Sequence, residues 1–247
     1  MTLATIDEVV ESRTAATTRR RAAWLAVGLL VVSNVMSNRV LPEWAYLPWN
    51  MAMAGVLIVI AHRAGFDFSG VGLAFRRWHR PVGVGLILVA CTAIVFAIGL
   101  VLPATRDAFV DARVSGISFG NMLFQVLIRI PLGTVRLEEI AFRGVLPTLF
   151  GGNPALTWRW RPVLGASALF GAWHILPSSA LTNGNSAVHQ MFGGSMVVVA
   201  VLAVASTMLV GVLLCLACYV GRGLKASMLV HWATNSLGFV AAWFVLH

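Results

Sequence analysis

Long apolar runs separated by short polar stretches dominate the chain, and their lengths are the first structural signal. A helix that crosses the hydrocarbon core of a bilayer, about 30 Å thick, needs about 20 mostly apolar residues. Runs of that kind cover 22–40, 82–102, 193–219 and 224–246, and shorter ones cover 47–61 and 163–176. A further run, 119–150, is long but carries Arg129, Pro131, Arg136, Glu138, Glu139 and Arg143. The pattern predicts seven spanning helices, or eight if 119–150 is two pieces broken near Pro131, because proline removes a helix donor. The fold class is therefore all-α: a polytopic transmembrane helical bundle of seven to eight helices. No internal repeat, low-complexity tract or soluble domain interrupts it, and the polar connections 62–80 and 103–118 are short for a folded module.

Composition agrees with the pattern. The 247 residues are 59% hydrophobic and 11% charged, with a mean hydropathy of +0.85. A soluble domain carries about 25% charged residues. Both an ordinary water-soluble fold and disorder are excluded. Lys and Arg number 18 against 9 Asp and Glu, a formal charge of +9. In a soluble chain that excess would point to nucleic acid, but here loop placement explains it. With the N-terminus in the cytoplasm, Arg13, Arg19, Arg20, Arg21, Arg63, Arg76, Arg77, Arg80, Arg159, Arg161, Arg222 and Lys225 fall inside. Arg39, Arg106 and Arg113 fall outside, and Arg129, Arg136 and Arg143 lie within the fourth run. The bias fits the positive-inside rule with seven crossings, the C-terminus outside and no nucleic-acid partner. Residues 1–21, with Asp7, Glu8 and Glu11, read as a polar cytoplasmic segment rather than a cleavable signal. Residues 22–118 read as transmembrane helices without chemistry, and 119–247 as the part that carries it. Cys91, Cys215 and Cys218 sit in apolar runs and offer no disulfide framework, and the Cys215/Cys218 pair has no second CxxC to make a zinc site.

Ionisable groups inside a span are costly and point to function. After Asp111 the chain has only two acids, Glu138 and Glu139, and both lie in an apolar run. Helix neighbours three or four apart share a face, so Glu139 can pair with Arg143. Glu138 is rotated by about 100° from Glu139. It has no local cation and must face a polar cavity, where a desolvated carboxylate suits a general base. His174 ends the short run 163–176 in the sequence Phe170-Gly171-Ala172-Trp173-His174. His231 and Asn235 are four apart on the last run, and together they can hydrogen-bond a developing oxyanion. Helical rise places Glu138 roughly 18 Å, His174 roughly 16 Å, and His231 and Asn235 roughly 10 and 16 Å from the cytoplasmic ends of their helices. Three spans thus bring a carboxylate, two imidazoles and an amide to similar depth. Such a set suits water activation: Glu138 takes a proton from water with help from His174, the water attacks an amide carbonyl, and His231 and Asn235 stabilise the charge on oxygen. Ser33, Ser167, Ser206, Ser227 and Ser236 lack partners for nucleophilic catalysis, and HExxH is absent.

Three motifs, Glu138-Glu139-x-x-x-Arg143, Phe170-x-x-x-His174 and His231-x-x-x-Asn235, stand in this order on separate spans. Over about 119–239 they resemble the CPBP family of intramembrane proteases. That family includes the type II CAAX prenyl endopeptidases and bacterial Abi relatives linked to bacteriocin processing or self-immunity. The resemblance implies about eight spans around a conical polar cavity open to the cytoplasmic side, and endopeptidase activity near the membrane surface. It implies Glu138 as catalytic base, His174 positioning the water, His231 and Asn235 forming the oxyanion site, and Glu139, Arg143 and Phe170 as structural support. The expected location is the bacterial inner membrane, and the expected partners are the bilayer and a peptide or membrane-anchored protein substrate.

The same residues allow a second chemistry. Glu138, His174 and His231 form a His₂Glu set that suits catalytic zinc. Against it, Glu139 is the only other acid available to orient the imidazoles, and Arg143 competes for it. Catalysis without a metal is the expectation. Two further alternatives remain at this point: a non-catalytic immunity or scaffold protein of the same fold, and a proton pathway through Glu138. The latter lacks paired inverted halves.

Overall fold

The computed structural model describes residues 6–74, 78–178 and 195–247. His189, Arg76, Arg77 and the first residues of the 193–219 run lie outside the described residues. Among the described residues the chain is helical, with no strand. Helix α1 is Ile6–Val35, continued by a π turn at Met36–Val40. It takes in the polar start of the chain without a break, since the arginines at 19–21 sit on the helix and not in a loop. Helices α2 (Glu43–Arg63) and α3 (His79–Val101) follow. Short helical turns at Pro103–Arg106, Asp107–Phe109 and Ala112–Val114 lead into α4.

Helix α4 is one continuous run, 119–149, built from five stretches in alternating register: Phe119–Phe124, Gln125–Val135, Arg136–Glu139, Ile140–Val145 and Leu146–Leu149. The second and fourth are π-helical, with i→i−5 hydrogen bonds. Pro131 does not split the run in two; it lies inside the first π stretch, where the wider turn accommodates its ring. Helix α5 (Trp160–Trp173) is only about 21 Å long, short of a full crossing. It ends at His174, which starts the turn Ile175–Ser178. Helices α6 (Met196–Gly221) and α7 (Leu224–Leu246) complete the bundle.

Among the described residues five helices are long and apolar enough to cross a membrane: Arg13–Val40, Glu43–Arg63, His79–Val101, Val197–Gly221 and Leu224–Leu246. These make the chain an integral membrane protein. Helix α4 and the short α5 lie among them as the polar-bearing elements of the bundle. Every residue from 137 to 149 is buried, whereas much of 119–132 faces outward. The core around α4 joins Leu30 of α1, Leu57 of α2, Ile140, Phe142 and Leu146 of α4, and Phe170 of α5.

Small residues permit the closest crossings, as is usual where helices pack without water. A Cβ at Gly171 would stand 2.7 Å from the Val204 carbonyl oxygen, so α5 and α6 meet backbone to backbone there. At one end of the bundle three connections are sewn together. Asn153 Nδ2 donates to Gly70 O (2.7 Å), the Leu224 amide to Gly72 O (3.1 Å), and Arg222 to Leu156 O (2.9 Å). This knitted end fixes where α4 finishes and α5 and α7 begin, and so sets the depth of each side chain they carry.

Candidate active site

Two carboxylates reach the interior because α4 places consecutive residues on different faces. Glu138 is 5% exposed and Glu139 is fully buried. They sit in a short α stretch flanked by the two π stretches, and π turns within helices are often found at functional sites.

Glu139 is held from two sides. His231 Nδ1 donates to its Oε1 at 2.7 Å, and Arg143 NH1 lies 3.3 Å from the same oxygen. Because a carboxylate oxygen accepts, this bond fixes the proton on Nδ1 and leaves Nε2 facing the other way. Nε2 lies 3.6 Å from Glu138 Oε2, beyond hydrogen-bond distance and within ion-pair range. One imidazole thus stands between both acids. The guanidinium of Arg143 is fully buried, and its nitrogens make no hydrogen bond of good geometry. Its charge is balanced by Glu139 and by the face of the Phe170 ring, 4.0 Å from Cζ.

Glu138 has unequal oxygens. Oε1 accepts from Trp173 Nε1 at 3.0 Å, while Oε2 is buried with no hydrogen-bond partner and faces His231. Trp173 is the last residue of α5, and its carbonyl is one of the four a helix end leaves open. Asn34 of α1 satisfies it, with Nδ2 donating at 3.0 Å, and Asn38 in turn donates to Asn34 Oδ1 at 2.7 Å. Helix α1, which carries no motif, thus anchors the end of α5 from which Trp173 reaches Glu138.

His174 turns its Nδ1 to the Phe170 carbonyl one turn back, at 2.8 Å. A carbonyl only accepts, so Nδ1 carries the proton and Nε2 keeps its lone pair. The His174 ring stands edge-on to Phe170 with centroids 4.6 Å apart. Phe170 is the shared wall: it also touches Phe142 (5.3 Å) and His231 (6.0 Å, perpendicular). Asn235 is half-buried, one turn beyond His231 on α7.

The structure thus brings Glu138, Glu139, Arg143, Phe170 and His231 into one contact set and joins His174 to it through Phe170. Asn235 shares the His231 face without touching the carboxylates. Sequence reasoning paired Glu139 with Arg143 alone; in the structure Glu139 also orients His231. It missed Trp173 and Asn34 as the groups that hold Glu138. The signal for Asn34 was a cluster of Ser33, Asn34, Ser37 and Asn38 late in an otherwise apolar span.

A zinc ion on Glu138, His174 and His231 requires the three to converge. Among the described residues no three His, Cys, Asp or Glu side chains gather closely enough to hold a cation. The arrangement does not fit a three-ligand zinc site.

Comparison with known proteins gives one match. The family model described as "Type II CAAX prenyl endopeptidase Rce1-like" matches residues 119–237, a segment that runs from the start of α4 to just past Asn235. No curated protein and no solved structure matches the chain. All three motifs lie within the matched segment, which is similar to the type II CAAX prenyl endopeptidase Rce1-like family.

Proposed function

We propose that the protein is an intramembrane endopeptidase that hydrolyses a peptide bond of a membrane-associated peptide or protein, with Glu138 as the general base. The observation that carries this reading is the asymmetry of the Glu138 carboxylate: one oxygen is fixed by Trp173, the other is desolvated and unpartnered beside His231. A carboxylate so held is ready to take a proton from water.

The steps follow from the donors and acceptors around it. Water lies against Glu138 Oε2 and His174 Nε2. Its oxygen attacks the carbonyl carbon of the scissile amide while its proton passes to Glu138. The carbonyl π pair moves to oxygen, and the His231 Nε2–H with the Asn235 amide stabilises the resulting anion. The C–N bond then breaks, Glu138 returns the proton to the leaving amine, and the products are a new carboxylate end and a new amine end.

Charge balance supports a proton on both His231 nitrogens. With imidazolium at 231, the buried group of Glu138, Glu139, Arg143 and His231 has no net charge, which limits the desolvation penalty. Glu139 and Arg143 act by orienting His231 and keeping that balance. The mechanism needs no metal.

The test uses purified protein in proteoliposomes with two probes, a prenylated peptide ending in Cys-a-a-X and an unmodified apolar peptide. Wild-type protein is expected to cleave at least one. Glu138→Gln and Glu138→Ala are expected to abolish cleavage while melting within a few degrees of wild type. Full cleavage by Glu138→Gln overturns the reading.

A further inference from the structure

Pro131 leaves a gap in the hydrogen-bond ladder of α4, and two side chains of α7 fill it. In the i→i−5 register of Gln125–Val135, the amide that Pro131 lacks would have served the Val126 carbonyl. Val126 is buried, so its carbonyl calls for a donor from the protein. Instead Trp232 Nε1 donates to Val126 O at 2.7 Å, and Ser236 Oγ donates to the same oxygen at 3.4 Å. Further along α7, Trp243 Nε1 donates to the Ile117 carbonyl at 2.8 Å, just before the start of α4. Residues 232, 236 and 243 fall on one stripe of α7, since eleven residues complete about three turns. That stripe is pinned to backbone carbonyls along the first half of α4.

Trp232 follows His231, and Ser236 follows Asn235. On a helix each is rotated about 100° from its neighbour, so the docked stripe and the catalytic stripe are rigidly related. We propose that Trp232 and Ser236 are positioning residues: by occupying the carbonyl that Pro131 frees, they set the rotation of α7 and aim His231 between Glu138 and Glu139. A rotation of α7 by a few tens of degrees would move the imidazole off both acids, although neither Trp232 nor Ser236 touches them. Pro131 is then not a tolerated defect but half of a two-part joint. That the joint matters to hydrolysis rests on the function proposed above; that it aims His231 does not.

The test is a variant series with a readout that needs no substrate. Protein labelled with ¹⁵N-histidine is placed in nanodiscs, and the ring N–H resonance of His231 is assigned by its loss in His231→Gln. That resonance reports the bond to Glu139. In the Trp232→Phe/Ser236→Ala variant it is expected to shift or broaden. Adding Pro131→Ala returns an amide donor to Val126 from within α4 but no bond to α7, so the wild-type resonance is expected not to come back. Peptide cleavage, read in parallel, is expected to fall about tenfold in kcat with KM near wild type, and to stay low with Pro131→Ala. The single variants Trp232→Phe and Ser236→Ala give the same signs at smaller size if the double variant fails to fold. An unchanged His231 resonance in the double variant, or one that Pro131→Ala restores, overturns the proposal. Absence of cleavage by wild-type protein counts against the endopeptidase reading alone, because the resonance still reports the joint.

Discussion

At the scale of single residues, the site is a buried charge cluster in which every role depends on a neighbour. Arg143 faces Glu139 where both are fully buried, so Arg143→Met leaves the buried cluster one positive charge short. It is expected to destabilise the protein by about 3–5 kcal/mol, read as a lowered melting temperature in detergent. Trp173→Phe keeps the ring and its edge contact with Phe142 but removes the donor to Glu138. A hydrogen bond to a charged group is worth about 1.5–3 kcal/mol, so kcat is expected to fall about tenfold to a hundredfold with a small change in melting temperature. A wild-type kcat in Trp173→Phe would show that this bond does not hold the base. The ionisable residues of the site were legible in the sequence because a charge in an apolar run has few bland explanations. Trp173 and Asn34 were not, since Trp fits an apolar run without comment and the polar cluster around Asn34 carries no charge to mark it as part of the site. Nor was the His231–Glu139 bond, because its partners lie 92 positions apart and sequence gives spacing only along one helix.

At the scale of elements, the lengths of the apolar runs located the helices, but register and ends came from hydrogen bonding. The proline at 131 predicted a break as one alternative; α4 instead widens into π turns, which hydropathy does not encode because it averages over backbone register. Helix α5 stops at His174, where Asn34 and the His174 ring take up its last carbonyls. The α5–α6 crossing depends on Gly171, whose absent side chain lets the two backbones touch. Gly171→Val is therefore expected to push α5 away from α6, shift Trp173 off Glu138 and lower both stability and cleavage. Gly171→Ala is expected to do the same to a smaller degree. Melting curves and cleavage rates measured on the same preparations check the pairing of the two effects.

At the scale of the whole molecule, the bundle divides its labour. Five long apolar helices provide the membrane frame, and α4 and α5 carry polar groups that lipid would not tolerate. The knitted loops at one end set the depth of the helix starts, α1 anchors the end of α5 through Asn34, and α7 is tied to α4 through Trp232. Since the two imidazoles and Glu138 do not converge as a ligand set, cleavage is expected to survive exhaustive chelation, with no stoichiometric zinc by elemental analysis. Loss of activity on chelation that zinc restores would contradict the metal-free mechanism. The central claim is that Glu138 delivers water to a peptide bond inside the bilayer. The most direct measurement is cleavage in ¹⁸O-labelled water, with products read by mass spectrometry for wild type and Glu138→Gln side by side. Wild-type protein is expected to leave one ¹⁸O at each new carboxyl end, and Glu138→Gln to yield no such product. Equal amounts of labelled product from both proteins, or none from wild type, would contradict it.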